Sequence, residues 1–292
     1  MGGIFWLASY PKSGNTWVRT FVANLRSEQD CAISINAIDL GAIASSRIWL
    51  DDVLGFDTSD LTPDEVLRLR SRVYDWAARD EEIHYCKIHD AWRDDDRSGP
   101  LAGTTGVLGA LYIVRNPLDI AASLASHGGT SIDTAIARMG SASNTLSASK
   151  VGIDVQVMQP LGTWSQHVTG WTGAPRLNRL VVRYEDLLAN PRDGFARIAR
   201  FLRLPCDPER IERALQFSRF EELRRQEQEA GFRERGQPGQ VFFRQGRSGT
   251  WREYLDRKQA ARVVADHREV MGRFGYLEGM DQQEWTNVEI DA

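Results

Sequence analysis

Lys12, Ser13, Gly14, Asn15 and Thr16 stand side by side in the stretch Tyr10-Pro11-Lys12-Ser13-Gly14-Asn15-Thr16-Trp17. A lysine, a glycine and two hydroxyls in so short a run can hold an anion. Gly14 lets the backbone turn tightly and approach a ligand closely. Asn15 or Thr16 is expected to cap the helix that follows. The first amides of such a helix point back into the loop and carry roughly half a positive charge, to which Lys12 adds a full one. This is the chemistry of a phosphate cradle. Its order departs from the loop of nucleotide triphosphatases, which needs a glycine, four residues, then Gly-Lys-Ser/Thr. Here the lysine precedes the glycine, and no glycine lies five residues before Gly14.

The elements that must position this loop are legible around it. Ile4–Ala8 is an apolar run of strand length, and Pro11 biases Tyr10 away from helix. From Trp17 to Leu25, apolar residues at 17, 18, 21, 22 and 25 share one helical face. Residues 26–60 look irregular. Thr62 or Asp60 should cap a helix with Pro63 in its first turn, running to about Asp80. Ile83–Asp90 reads as a second strand that ends on Lys87 and His89. Leu111–Arg115 is a third, followed by a helix from Asn116-Pro117 through Leu124. Residues 128–160, rich in Gly, Ser, Thr and Ala, read as a lid or acceptor-binding insertion. A helix resumes at Gly162–His167. Leu180–Tyr184 is a fourth strand, Asn190-Pro191 opens a helix, and Pro208 starts another through about Leu223. Gly231–Thr250 reads as loop and Trp251–Phe274 as one long helix.

Strands alternating with helices predict an α/β fold with a central parallel sheet flanked by helices. Ligands of such sheets lie at the carboxyl ends of the strands. Lys12, Lys87, His89, Arg115 and Tyr184 therefore belong to one crevice.

A chain of 292 residues, 42% hydrophobic, can bury a large core, and no repeat or linker divides it. Residues 1–292 are expected to form a single domain. A formal charge of −4 gives no general attraction to nucleic acid or to an anionic membrane. Cys31, Cys86 and Cys206 are odd in number and lack CxxC spacing, which argues for a reducing compartment and against a disulfide framework or a zinc site. With no signal-peptide pattern and no apolar run of membrane length, a soluble cytoplasmic protein is expected. No convincing acidic metal site is present.

Five segments, in this order, resemble the sulfotransferases that use 3′-phosphoadenosine 5′-phosphosulfate (PAPS). Tyr10–Trp17 resembles the family's phosphosulfate loop, and Lys87-Ile88-His89 its Lys-Thr-His catalytic segment. Arg115-Asn116-Pro117-Leu118-Asp119, with Ser123, resembles its 3′-phosphate motif. Arg183-Tyr184-Glu185-Asp186-Leu187 resembles its adenine-side strand end, and Phe243–Trp251 the loop closing over the 3′-phosphate. The likeness runs from about residue 4 to 255.

It implies that Lys12, with Ser13, Gly14, Asn15 and Thr16, binds the 5′-phosphosulfate, and that Trp17 stacks on adenine. It further implies His89 as general base, Lys87 and Lys12 as catalytic cations, and Arg115 and Ser123 on the 3′-phosphate, with Arg244, Gln245 and Gly246 completing that pocket. Tyr184, Ser218 and Phe220 fall on the adenine side. Two of the phosphate-binding positions depart from the family pattern. Asn15 replaces a threonine, and Gln245 replaces a lysine whose charge Arg247 is a candidate to supply. The product would be adenosine 3′,5′-bisphosphate (PAP), with no metal required. The acceptor would be a small molecule offering a hydroxyl or an amine, bound by residues 31–60, 90–102 and 128–160. Trp49, Phe56 and Trp92 suit a bulky apolar acceptor, and Asp51-Asp52 with Asp94-Asp95-Asp96 a cationic one. Gly162-Thr163-Trp164 with Trp171 is similar to bacterial sulfotransferases that modify secondary metabolites. The dimer motif of animal members is absent, so the oligomeric state stays open. A P-loop-type kinase using ATP and magnesium, and a non-catalytic nucleotide-binding protein on the same fold, are the competing readings.

Overall fold

A computed structural model describes residues 2–95, 99–147, 154–235 and 240–280. Asp96, residues 148–153, Gly236 and Gly239 fall outside the described residues. The central sheet has four parallel strands: β1 (Gly3–Ser9), β2 (Ile83–Ile88), β3 (Val107–Val114) and β4 (Arg179–Arg183), in the order β2-β1-β3-β4. β1 lies inside the sheet and is buried along its whole length. Both of its faces are covered, which is why its sequence is a continuous apolar run and not an alternating one.

The pleat divides the core in two. Ile4, Trp6 and Ala8 share one face with Ala110, Tyr112 and Val114. They pack against helices α3 (Pro63–Ala77), α4 (Pro117–Gly128), α6 (Trp164–Gly173) and α11 (Arg257–Arg273). Phe5, Leu7, Leu111 and Ile113 point the other way. They meet α1 (Asn15–Arg26), α8 (Pro191–Phe201) and α9 (Pro208–Phe217). The chain leaves β1 between neighbours whose connections run to opposite sides, and the crevice of an open sheet forms at such a point.

Several boundaries differ from the sequence expectation. Gly14, at φ 97°, is itself the N-cap of α1, so Asn15 and Thr16 are inside the helix. Asn15 Nδ2 instead donates to Leu7 O and Ser9 Oγ, tying the helix start to the end of β1. Within 26–60 lies α2 (Arg47–Leu54), capped by Ser46 and stopped by left-handed Gly55. The aspartates among its apolar residues hid its period. Thr62 caps α3 through a reciprocal bond with Glu65. Residues 128–160 contain α5 (Ile132–Met139) and a two-residue ladder pairing Thr145–Leu146 with Gln159–Pro160. α7 (Tyr184–Ala189) follows β4 directly. The helix from Pro208 breaks at Ser218–Arg219, and α10 (Phe220–Ala230) follows. Trp251 belongs to a short 3-10 turn, and α11 begins only after Asp256, which forms a capping box with Gln259.

Candidate active site

The carboxyl ends of β1, β2 and β3, the start of α7, and residues 233–235 and 242–246 enclose one cavity of about 820 Å³. Lys12, Gly14, Asn15, Thr16, Trp17, Lys87, His89, Arg115, Ser123 and Tyr184 all line it. The register explains the gathering, because Leu7 pairs with Lys87 and Val114 with Arg183, so successive strands end level with one another.

The loop after β1 is held in an uncommon shape. Lys12 has φ 68°, a left-handed conformation that costs a non-glycine residue about 1 kcal/mol or more. Gly14 is required at its position. A Cβ there would stand 2.6 Å from the Tyr184 ring, and the backbone is left-handed as well. Arg115 stabilises the turn from β3. Its Nη1 donates to Lys12 O at 2.9 Å, its Nη2 to Arg247 O at 3.3 Å, and its guanidinium lies 4.4 Å over the Tyr184 ring. Arg115 Nε and Ser13 Oγ are buried without a hydrogen-bond partner among the described residues.

Burial and the neighbouring Arg115 and Lys87 push the Lys12 ammonium down to about 7. Its Nζ rests 3.7 Å over the Phe242 ring. Burial also lowers Lys87. Lys87 Nζ bonds Glu234 Oε2 at 2.8 Å, and Arg19 bonds the other oxygen at 2.6 Å. Burial opposes ionisation of Glu234, but the two cations outweigh it and hold the carboxyl far below its usual range. Buried Glu227 fastens the segment that carries Glu234 and Phe242, accepting from Arg235 Nε and from the amides of Phe242 and Phe243.

His89 sits in a defined tautomer. Its Nδ1 is 2.8 Å from Ser9 O, and a carbonyl only accepts, so Nδ1 carries the proton and Nε2 keeps a lone pair. Burial and the charge of Lys87 drive its pKa well below the ordinary histidine value, so the ring is a neutral base at physiological pH. His167 supports the segment from behind. Its Nε2 donates to His89 O at 2.9 Å while its Nδ1 accepts from Tyr112 Oη at 2.9 Å.

The 246–251 turn is fixed by one carboxylate. Asp119 accepts from the amides of Gly249 and Trp251 and from the Thr250 hydroxyl. Gly246 lies against Phe220, where a Cβ would come within 2.4 Å of the ring.

The sulfotransferase domain model matches residues 108–275, more than half of the chain. The chain belongs to the sulfotransferase domain family. Rat sulfotransferase 2A6 (Rattus norvegicus) is 22% identical over 92% of this chain and 84% of its own. Cytosolic sulfotransferase 17 of Arabidopsis thaliana is 23% identical over 94% and 75%. Retinol dehydratase, solved with androsterone and PAP, shares the fold at a TM-score of 0.59 and 18% identity, covering 92% of this chain and 80% of that one. A mouse sulfotransferase complexed with PAP superposes with a TM-score of 0.59 at 17% identity, over 94% and 88% of the two chains. The enzyme is thus a PAPS-dependent sulfotransferase that moves a sulfuryl group to a small-molecule acceptor.

In this sulfotransferase Phe220, Arg244, Gln245 and Gly246 also line the cavity, but not every expected residue does. Ser218 is fully buried, and its hydroxyl donates to Ala214 O at the end of α9. Ser13 is buried behind the loop and is not part of the cavity wall. The Gln245 amide is engaged by Tyr254 and Arg247. Arg247 sends its guanidinium to Gln245 and Glu253. Trp17 meets two rings edge to face, Tyr184 at 5.9 Å and Phe195 at 4.8 Å.

The expected acceptor walls are only partly realised. Ile43 and Ser45, and Leu146, Ser147, Gln156 and Gln159, border the cavity, but no described residue of 90–102 does. Trp49 stacks on Tyr74, Trp92 meets Trp171, and Phe56 is exposed, all away from it.

Sequence reading missed His127, Glu234, Arg19 and Phe242. His127 could have been found, since it lies four residues after Ser123 on one face of α4 and also lines the cavity. Burial and the nearby lysines lower it to about 4. Glu234 and Phe242 lie in irregular chain, where no period points to them.

Proposed function

We propose that this cavity binds PAPS through Lys12, the amides of residues 13–16 and Arg115, and that His89 is the general base of transfer. The observation that carries this reading is the His89 tautomer, which leaves Nε2 as a lone-pair base at the strand end beside Lys87 and the Lys12 loop.

His89 Nε2 takes the proton of an acceptor hydroxyl or amine as its oxygen or nitrogen bonds to sulfur. The bond from sulfur to the bridging phosphate oxygen breaks, and PAP leaves. Lys12 meets the charge that develops on that bridging oxygen, and Lys87 offsets charge on the sulfuryl oxygens. Positioning and fixed charge supply most of the acceleration, as in phosphoryl transfer. The orphaned buried Arg115 Nε, on a side chain that lines the cavity, fits a phosphate-rich ligand. Arg115, Ser123 and Arg244, with Gly246, form the 3′-phosphate end, and Trp17, Tyr184 and Phe220 the adenine end. No group of three or more metal-ligating side chains occurs among the described residues.

For the acceptor we infer a bulky, partly apolar alcohol, phenol or amine, of the kind handled by the bacterial secondary-metabolite enzymes that 162–171 resembles. Ile43, Leu124, Leu146 and Phe242 give the acceptor side apolar surface, and Gln156 and Gln159 give it hydrogen-bonding groups. We place the enzyme in the cytoplasm, where the free cysteines Cys31, Cys86 and Cys206 stay reduced. Among the described residues no helix is long and apolar enough to cross a membrane.

Calorimetric titration with PAP against ATP and magnesium tests the donor assignment, with tight binding of PAP alone expected. Preference for ATP would overturn it. His89→Ala should abolish turnover and keep PAP binding, whereas loss of both would make His89 structural.

A further inference from the structure

Next to the base, Asp90 enters the interior. Its carboxylate receives a two-pronged bond from Arg70, Nη1 to Oδ1 and Nη2 to Oδ2, both at 2.7 Å. Both side chains are wholly buried. Of its other donors, Nε bonds Tyr74 Oη at 2.7 Å and Nη1 also bonds Met158 O at 3.1 Å. Tyr74 passes its own proton to Ala44 O at 2.7 Å. One guanidinium thus ties α3 to the exit of β2 and the 156–160 segment, and through Tyr74 to the 43–45 segment.

Three of those segments, all but α3, border the reacting groups. Ala44 N bonds Lys87 O at 2.9 Å, and its neighbours Ile43 and Ser45 line the cavity. Met158 lies between Gln156 and Gln159 on the acceptor side. The main chain at 89–91 is clamped as well, with Trp171 Nε1 donating to Asp90 O and Ala91 N to Pro160 O.

Stability alone does not account for the pair. Removing two charges from water costs several kcal/mol per ion, and well-packed apolar residues in place of a buried pair are often neutral or stabilising. An apolar pair cannot reproduce a directional, two-point joint among four segments. Resting on the reading of His89 as base, we propose that Arg70 and Asp90 are positioning residues, which fix the distance from His89 to the acceptor wall.

The test is the double variant Arg70→Met/Asp90→Leu, which removes both charges together and so leaves neither ion stranded. Two readouts are needed, turnover with 4-nitrophenol as a phenolic probe and nitrogen-15 NMR of the His89 ring. A misplacement of about 1 Å can lower turnover on the order of a hundredfold. The variant is expected to stay folded and to bind PAP as the parent does. Its kcat should fall on the order of 30- to 100-fold with the KM for PAPS unchanged, and the protected Nδ1 proton of His89 should be lost. The single variant Arg70→Lys, with Asp90 kept, should recover only part of the rate, because a single-point ammonium cannot make the fork.

A double variant with the parent's kcat, or with the Nδ1 proton still protected, overturns the proposal. If 4-nitrophenol is not turned over, the NMR signal decides by itself. If His89→Ala turns over normally, the reading of the base falls first, and the two failures are told apart.

Discussion

Glu234→Gln isolates the contact in which this enzyme's own carboxylate holds Lys87, the lysine proposed to meet the sulfuryl group. Glu234 bonds Lys87 at 2.8 Å and Arg19 at 2.6 Å, and its side chain is 24% exposed. A sulfuryl oxygen bonded to another hydrogen of the same ammonium would lie about 5 Å from that carboxylate. Two like charges at that separation repel by about 3 kcal/mol at an effective dielectric of about 20. Partial exposure and the opposing charge of Arg19 leave roughly half, ~1.5 kcal/mol, or about tenfold in affinity. The variant is therefore expected to bind PAPS about tenfold more tightly, and to bind PAP, which lacks the sulfuryl group, within about threefold of the parent. Titration without acceptor, repeated in high salt where the gain should shrink, measures this directly. Weaker PAPS binding in the variant would refute the reasoning, because the carboxylate would then be supporting Lys87 and not competing for it.

Three further outcomes are expected. Arg115→Ala should weaken PAP far more than AMP, by on the order of 2 kcal/mol, since a charge-assisted fork to the 3′-phosphate is lost; equal losses would remove Arg115 from that phosphate. PAP binding at pH 8 should take up about one proton, because Lys12 is pushed down to about 7 in the free protein and an anion restores its charge. Its depressed value also means that the unliganded fold gains stability as pH rises from about 7 toward the ordinary lysine value. Calorimetry in buffers of different ionisation enthalpy counts the proton, and uptake that does not fade below pH 6 would contradict the assignment. Asp119→Ala should loosen the 246–251 turn and weaken PAP about tenfold or more while 4-nitrophenol still saturates at the same concentration, since several donors lose their common acceptor. Unchanged PAP affinity would show that the turn is held by other contacts.

The strands and their catalytic ends were legible because buried parallel strands are written as plain apolar runs. Lys12, Lys87, His89 and Arg115 each follow such a run within a few residues. Helix α4 was legible from Asn116-Pro117, where a cap precedes a proline suited to a first turn. Local capping decided what was missed. Gly14 took the N-cap because the loop needed a left-handed residue against Tyr184, which only the folded neighbour reveals. Ser218 matched a motif by type, yet its hydroxyl satisfies a carbonyl at a helix end, an alternative that sequence cannot rank. The ion pair of Lys87 with Glu234 joins residues 147 positions apart, and no local pattern encodes it. Trp49 and Trp92 suggested an acceptor wall by composition but packed beneath it, as large rings usually do.

Asp119, Ser123 and His127 recur every fourth residue along α4, so they share one face, the first and last about 12 Å apart. The opposite face, with Leu118 and Ala121, is packed into the core beside α11. The helix is therefore a lever with three contacts on one arm: the Asp119 carboxylate on the 246–251 turn, and the Ser123 hydroxyl and His127 imidazole on the cavity. A small tilt of that lever cannot move one contact alone. Substitutions buried behind α4, far from either substrate, should therefore alter donor affinity and acceptor turnover in a fixed proportion, whereas substitutions in the cavity wall should alter them independently.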